Sequence, residues 1–258
     1  MIFVKYEFRL GNNLFQWAFA RVLSKLSGVP MSASPITLFP ATFQDNHPLL
    51  EKIDFELPVI SYSVDLAEWV EKSKKGNVLV RGFPHNITFF EPHCSWLAPE
   101  VAPRPGDYAV ASSKDVVLHI RWGDYFDVSG NVGRFGYPGT AFYRLLGSLD
   151  YDRCLIVTDT PNNKIVEDVL KHFRGVLVAK DIDHDYRTLY HASRLIMSPS
   201  TFSWWAAWSG NGKEIYQPYE MGFWKKKNKF ALGLPGPRVK RFDMEGRIVN
   251  DPATSACT

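Results

Sequence analysis

Leu195-Ile196-Met197, followed by Ser200-Thr201-Phe202-Ser203-Trp204-Trp205-Ala206-Ala207-Trp208, decides the fold class of this chain. An apolar run hands over to a helix through hydroxyl side chains, and that helix carries three tryptophans in five positions. Ser and Thr at such a junction cap a helix start, where unpaired N–H groups and the positive dipole end suit an anion. So many indole rings require the helix to pack hard against the body of the protein. Two readings are open from these residues: a capped helix with an aromatic core face, and an anion-binding turn built on the same cap.

The rhythm repeats outward from this point. Asp115–Arg121, Cys154–Thr158, Gly175–Ala179 and Leu195–Met197 read as strands. Gly139–Leu149, Asn163–Phe173, Asp185–Ala192 and Phe202 onward read as helices. Short connections between alternating strands and helices favour right-handed crossovers and a mostly parallel sheet. Ligands of such sheets bind outside the C-terminal ends of the strands.

The N-terminal part opens in the same way. Ile2–Phe8 is expected as a strand, Gly11-Asn12-Asn13 as a break, and Leu14–Leu23 as a helix ending before Gly28. Pro35, Pro40, Pro48 and Pro58 fragment residues 31–75, with a helix expected over Val64–Lys74 and a short strand over Asn77–Gly82. Phe89–Trp96 starts another helix. Pro99, Pro103, Pro105 and Gly106 are the clearest punctuation in the chain. The expected organisation is an α/β domain over 1–105, a second over 106–220, and a poorly structured tail over 221–258 that packs back on the body.

At 258 residues, with 45% hydrophobic and 14% aromatic residues, the chain builds a substantial core rather than remaining disordered. Its formal charge of +3 and scattered basic residues do not form the footprint of a nucleic-acid reader. Cys94, Cys154 and Cys257 give neither a disulfide framework nor a metal pattern, and Cys154 beside Leu155-Ile156-Val157 reads as a small buried hydrophobe. Neither a signal-peptide profile nor a bilayer-length apolar run is present, so a cytoplasmic protein is expected. The Lys225-Lys226-Lys227 cluster has two readings, a solvated face and a contact with an anionic membrane or lipid-linked acceptor. Nothing fixes an oligomeric state.

His119 and Arg121 lie two apart on one strand and so share a face, with Asp124 following in the turn. Arginine at that rim grips a phosphate bidentately, and aspartate orients it or takes a proton. The competing reading is an Arg121–Asp124 pair that braces a turn. Gly11 permits close backbone approach, and Asn12 and Asn13 place amides at a helix start, to cap it or to reach a ligand. Asp159, between Thr158 and Thr160 at a strand end, is a candidate contact for a sugar or its nucleotide. Asp181, Asp183, His184 and Asp185 resemble a metal cluster in composition but lie too close in sequence to converge, and read as a solvated helix start. His85 and His93 are candidates for the opposite wall of a cleft. Walker A, dinucleotide-fingerprint, nucleophile-elbow and His-Glu-x-x-His patterns are absent.

Taken together, three ordered segments resemble the bacterial-type α-1,2-fucosyltransferases of glycosyltransferase family 11. Arg9-Leu10-Gly11-Asn12-Asn13-Leu14-Phe15-Gln16-Trp17-Ala18 stands where that family carries Gly-Leu-Gly-Asn-Gln-x-Phe-Gln-Tyr-Ala. His119-Ile120-Arg121-Trp122-Gly123-Asp124-Tyr125 stands for His-x-Arg-Arg-Gly-Asp-Tyr, and Ser200 to Trp205 matches Ser-Thr-Phe-Ser-Trp-Trp in full. Thr158-Asp159-Thr160 echoes its Ser-Asp-Asp, and Gly82-Phe83-Pro84-His85 its Gly-Tyr-x-Gln. The resemblance implies a GT-B fold of two facing Rossmann-like domains and metal-independent, inverting transfer of fucose from GDP-fucose to a glycan acceptor. It implies that Arg121 holds the donor diphosphate, supported by His119, Asp159 and the Ser200, Thr201, Phe202, Ser203 turn, with Gly11 and Asn12 approaching from the other domain. It also makes Asp124 the first candidate for the general base, with orientation of Arg121 as its alternative role. No cofactor or metal is implied. Trp122 in place of the second arginine, Asn13 in place of a glutamine, and the loss of one carboxylate beside Asp159 leave a different nucleotide-sugar donor open, as well as a non-catalytic glycan-binding relative.

Overall fold

The computed structural model describes residues 1–45, 52–59, 61, 63–123, 139–219 and 232–249. The chain divides into two compact units, Met1–Arg104 with Lys229–Leu232, and Pro105–Asn228 with Gly233–Thr258. Each is an α/β unit built on its own sheet of mostly parallel strands.

The first unit has β1 (Ile2–Val4), α1 (Leu10–Ser27), β2 (Met31–Ser32), β3 (Phe55–Glu56), α2 (Leu66–Lys75) and β4 (Val78–Val80). Its four-stranded sheet has the order β2-β1-β4-β3, and every pairing is parallel. Leu14, Phe15, Trp17, Ala18, Phe19, Val22 and Leu23 of α1 are buried, so the helix is held by its apolar face rather than by a side-chain cap. Gly28 closes α1 in the left-handed conformation, at φ 73°.

The start of this unit differs from the sequence expectation. β1 stops at Val4, and α1 begins at Leu10, so Gly11-Asn12-Asn13 forms its first turn instead of a break. Phe8 turns the chain through the left-handed region at φ 72°, and Arg9 is the extended residue before the helix. Residues such as Gly and Asn, unfavourable in a helix interior, cost less in a first turn, where the helical hydrogen-bond ladder is only beginning. Residues 87–100 also depart from the single helix expected from Phe89. Two short 3-10 turns, Ile87–Phe89 and Glu91–His93, precede α3 (Cys94–Glu100). Pro99 lies inside the last turn of α3 rather than beyond it.

The second unit runs β5 (Val116–Ile120), α4 (Gly139–Ser148), β6 (Cys154–Thr158), α5 (Lys164–His172), β7 (Gly175–Leu177), α6 (Ile182–His191), β8 (Arg194–Ile196), α7 (Thr201–Ser209), β9 (Glu214–Pro218), β10 (Val239–Phe242) and β11 (Ile248–Val249). The seven strands lie in the order β11-β10-β9-β8-β5-β6-β7, parallel except for the β10–β11 pair. From β5 the chain winds outward to β6 and β7, then returns to the other side of β5 as β8. The winding therefore reverses between β5 and β8, the position where doubly wound sheets open a ligand crevice.

Two expectations fail here. Residues 239–249 pack back on the body, but as strands and not as a poorly structured tail: Val239 to Phe242 pair with Ile215 to Pro218 of β9, and Phe242 joins Val116, Leu118 and Ile156 in the core. The charges of Val239-Lys240-Arg241-Phe242 hide this strand from a hydropathy reading. Lys240 is neutralised by Glu214 at 2.6 Å, and buried Arg241 donates to the Leu234 carbonyl at 3.2 Å. Secondly, α6 begins at Ile182 rather than Asp185, because Asp181 caps it by accepting the N–H groups of Asp183 and His184. Among the described residues, no helix is long and apolar enough to cross a membrane.

Candidate functional site

The ends of β5 and β8, where the winding reverses, are joined by one hydroxyl. Ser198 Oγ donates to the His119 carbonyl at 2.6 Å and accepts the Arg121 N–H at 2.9 Å. This buried serine fixes the backbone that carries Arg121. Sequence reasoning passed over it, because nothing local distinguishes it from any other serine after a strand.

Two residues further, Ser200 caps α7, its side chain accepting the Phe202 N–H at 3.3 Å. Ser203 is wholly buried, and its Oγ donates to the carbonyls of Ser198 and Ser200 at 3.3 Å each. Trp204 and Trp205 are wholly buried and meet edge-to-face, with centroids 5.0 Å apart; Trp204 also stacks on Trp208 at 5.9 Å. The reading as a capped helix with an aromatic core face holds, and its N-terminal turn lies at the switch point. Thr201 and Phe202 remain partly exposed in that turn.

Arg121, 8% exposed, is ion-paired with Asp159 from the end of β6. The Asp159 carboxylate also accepts the Trp122 N–H at 3.0 Å, while Thr160 Oγ1 accepts the Gly123 N–H at 3.1 Å. Gly123 sits at φ 23°, and a Cβ there would run into the Asp159 carboxylate, so the close approach requires glycine. Among the described residues, Asp159 on the neighbouring strand is a carboxylate braced against Arg121. Asp124 and Tyr125 lie outside the described residues. Trp122 packs against the core cluster of its unit.

His119 is 3% exposed, and its ring meets Phe202 at 5.7 Å. Burial, reinforced by the Arg121 charge, pushes its pKa down to about 3, so the imidazole is neutral at physiological pH. Its Nδ1 is buried and has no hydrogen-bond partner among the described residues. Such an atom costs free energy unless something pairs with it. At the C-terminal edge of the sheet, it is a neutral hydrogen-bonding group beside a buried cation.

His119, Arg121, Asp159 and the Ser200–Ser203 turn therefore come together in the second unit. Gly11 and Asn12 belong to the first, in the opening turn of α1. Asn12 does not cap that helix: Arg9 is the N-cap, its side chain makes no capping bond, and its carbonyl accepts the Asn12 and Asn13 N–H groups at 2.9 and 3.1 Å. Gln16 does the tying. Wholly buried, it holds both backbone groups of Glu7, at 3.0 and 3.3 Å, and the Gly82 carbonyl at 2.8 Å.

Other candidates fall away. His85 is buried between Phe15 and Phe83, with centroids at 4.5 and 5.3 Å, and burial lowers its pKa to about 3. It is a core residue and does not line a wall. His93 is half-buried beside Trp96. Asp181 caps α6, and Asp185 accepts the Lys180 N–H at 2.9 Å and meets His184 Nδ1 at 3.2 Å, the arrangement of a helix start. Burial pushes the Cys154 thiol up to about 12, in keeping with an inert core residue. The Lys225-Lys226-Lys227 cluster and Cys257 lie outside the described residues. Comparison with known proteins adds no family: no protein-family model matches this chain, and no curated protein matches it in sequence.

Proposed function

We propose that this chain is an inverting glycosyltransferase of GT-B type that moves fucose from GDP-fucose to a sugar hydroxyl, forming an α-1,2 linkage without a metal ion. One observation carries the reading: a buried, carboxylate-braced arginine, an unpartnered neutral histidine and a serine-capped helix start converge where the winding of a parallel sheet reverses. His119, Arg121 and Ser200–Ser203 belong to the two later motifs that resemble those of the fucosyltransferases, and Asp159 to the Thr158-Asp159-Thr160 echo.

In such a transfer the acceptor oxygen attacks the anomeric carbon as the bond from that carbon to the β-phosphate oxygen breaks. GDP leaves with the bonding electrons, and the acceptor proton passes to a general base, for which Asp124 is the candidate. Negative charge grows on the departing diphosphate, so a fixed guanidinium stabilises the transition state more than the ground state. Asp159 keeps the fork of Arg121 oriented, and the Thr201–Ser203 turn adds N–H dipoles of the same sign. His119 offers a neutral hydrogen bond to the donor and takes no proton in the step.

A second reading keeps the chemistry and changes the sugar nucleotide. Trp122 packs its ring on the core where the family carries a second cation, which alters the charge presented to the donor. Calorimetric titration with GDP-, UDP- and CMP-sugars, without metal and then with magnesium or manganese, separates the two. Selective metal-free binding of GDP-fucose is expected, and preference for another donor transfers the assignment to it. Binding of none removes the glycosyltransferase reading.

A further inference from the structure

Phe8 carries two costs that folding does not explain. It is a bulky residue in the left-handed region, at φ 72°, where glycine would sit without strain. The residue is also 64% exposed to solvent. Strain at an exposed aromatic side chain marks a position kept for binding rather than for packing.

The surrounding structure pins this ring in place. Phe8 follows β1 and Phe83 follows β4, which are adjacent parallel strands, and both residues lie beyond the C-terminal ends of those strands, the ligand side of such a sheet. The two rings stack at 4.6 Å with an interplanar angle of 25°. Gln16 clamps Glu7 to Gly82, and the Glu7 carboxylate accepts the Gly82 N–H at 3.2 Å, so the residues preceding each ring are tied together. Gly82 itself sits at φ 76°, against the Val59 backbone, where any Cβ would collide. Behind Phe83, His85 packs edge-on at 5.3 Å.

We infer that Phe8, backed by Phe83, is a stacking platform for the apolar C–H face of a pyranose ring in the glycan acceptor, a role that rests on the proposed transferase activity. Phe83 stacks on Phe8, and Phe8 offers at most the area of a single six-membered ring. Lys5 and Arg9, both exposed, and half-exposed Asn12 border it in sequence. A membrane or protein partner needs a contiguous apolar patch of several hundred Å², on the order of the largest patches that monomers carry. A sugar needs less: its C–H dipoles meet the negative face of the ring while its hydroxyls reach polar groups around the rim.

The test uses the full chain and three neutral probes: methyl β-galactopyranoside, methyl β-glucopyranoside and methyl α-mannopyranoside. Saturation-transfer NMR reports sugar contact, and calorimetry with GDP-fucose on the same samples reports the donor site. Wild type is expected to transfer saturation to the protons of one sugar face. Phe8→Leu, which keeps apolar bulk but lacks the ring, and Phe8→Gly should both weaken sugar affinity about tenfold with GDP-fucose affinity unchanged. Phe8→Trp should retain sugar binding. Phe8→Gly should melt no lower than wild type, since it removes the strain; loss of sugar binding in a well-folded variant is then not a folding defect. Undiminished sugar binding in Phe8→Leu and Phe8→Gly overturns the platform, as does a wild type that contacts none of the three sugars. Loss of GDP-fucose affinity in those variants, with sugar binding intact, assigns the ring to the nucleobase instead and also overturns it. Phe8-dependent sugar binding in a wild type that fails to bind GDP-fucose leaves the platform standing and removes only the transferase reading.

Discussion

The two units of this chain solve one problem, fixing the ends of parallel strands, with opposite chemistry. In the second unit, the end of β5 is held by a serine hydroxyl and carries a buried ion pair, Arg121 with Asp159. In the first, the segments after β1 and β4 are held by a neutral amide, Gln16, and end in a pair of stacked phenylalanines. A buried neutral histidine lies near each, His119 beside the cation and His85 behind the aromatic pair. The contrast teaches that the fold supplies the rim, and that the tie chosen at the rim sets its charge. One rim carries an ion pair and the other an aromatic pair.

The largest effect should come from the aromatic anchor of the charged rim. Trp204→Ala removes a wholly buried ring and should cost about 3–5 kcal/mol, read as a fall in the urea midpoint. Next, Arg121→Ala should lower turnover on the order of 100- to 1,000-fold and weaken donor binding while near-ultraviolet circular dichroism stays native. Equal turnover in that variant would remove the cation from its role and erase the difference between the units.

The two amide and hydroxyl ties should differ less. Gln16→Leu leaves Glu7 and Gly82 backbone groups unpaired and should cost about 2–3 kcal/mol. Ser198→Ala should cost about 1–2 kcal/mol and lower turnover in addition, because it loosens the Arg121 backbone. Comparing urea midpoints with turnover for both variants tests whether each tie serves folding alone.

The two histidines should behave alike. Their folded pKa values lie near 3, below the ordinary 6.5, so beneath pH 6.5 the unfolded chain takes up protons that the folded chain refuses. Stability is full above 6.5 and falls as pH drops toward 3, by about 2 kcal/mol for each histidine at pH 5. Urea midpoints at pH 7 and pH 5 measure the loss, and His85→Phe should remove about half of this histidine-dependent part. An unchanged pH dependence in that variant would mean that His85 is not held neutral by burial.

Much of the second unit was legible in sequence because its central strands are continuous apolar runs. The apolar run Cys154–Thr158 coincides with β6, and those at Asp115–Arg121 and Leu195–Met197 match β5 and β8 to within one residue at each end. β10 was missed because Lys240 and Arg241 break the apolar pattern while their charges are met elsewhere, at Glu214 and the Leu234 carbonyl. α1 and α6 began earlier than read, since first-turn glycine, asparagine and aspartate look like breakers when their capping partners are unknown. His119 and Arg121 could be paired because alternation on a strand is a local rule. The ties of Ser198 to His119 and of Gln16 to Gly82 could not be read, because those partners lie 79 and 66 residues away in sequence.

By itself, then, the sequence determined the alternation of strands and helices, the parallel layering and the cluster of hydroxyl, imidazole and guanidinium groups at strand ends, all properties of neighbours along the chain. The tertiary structure alone decided which carboxylate braces Arg121, which hydroxyl locks its backbone, and that Phe8 is strained, stacked and exposed. Those depend on which strand ends lie side by side, and strand order follows from the packing of the whole unit rather than from any local preference.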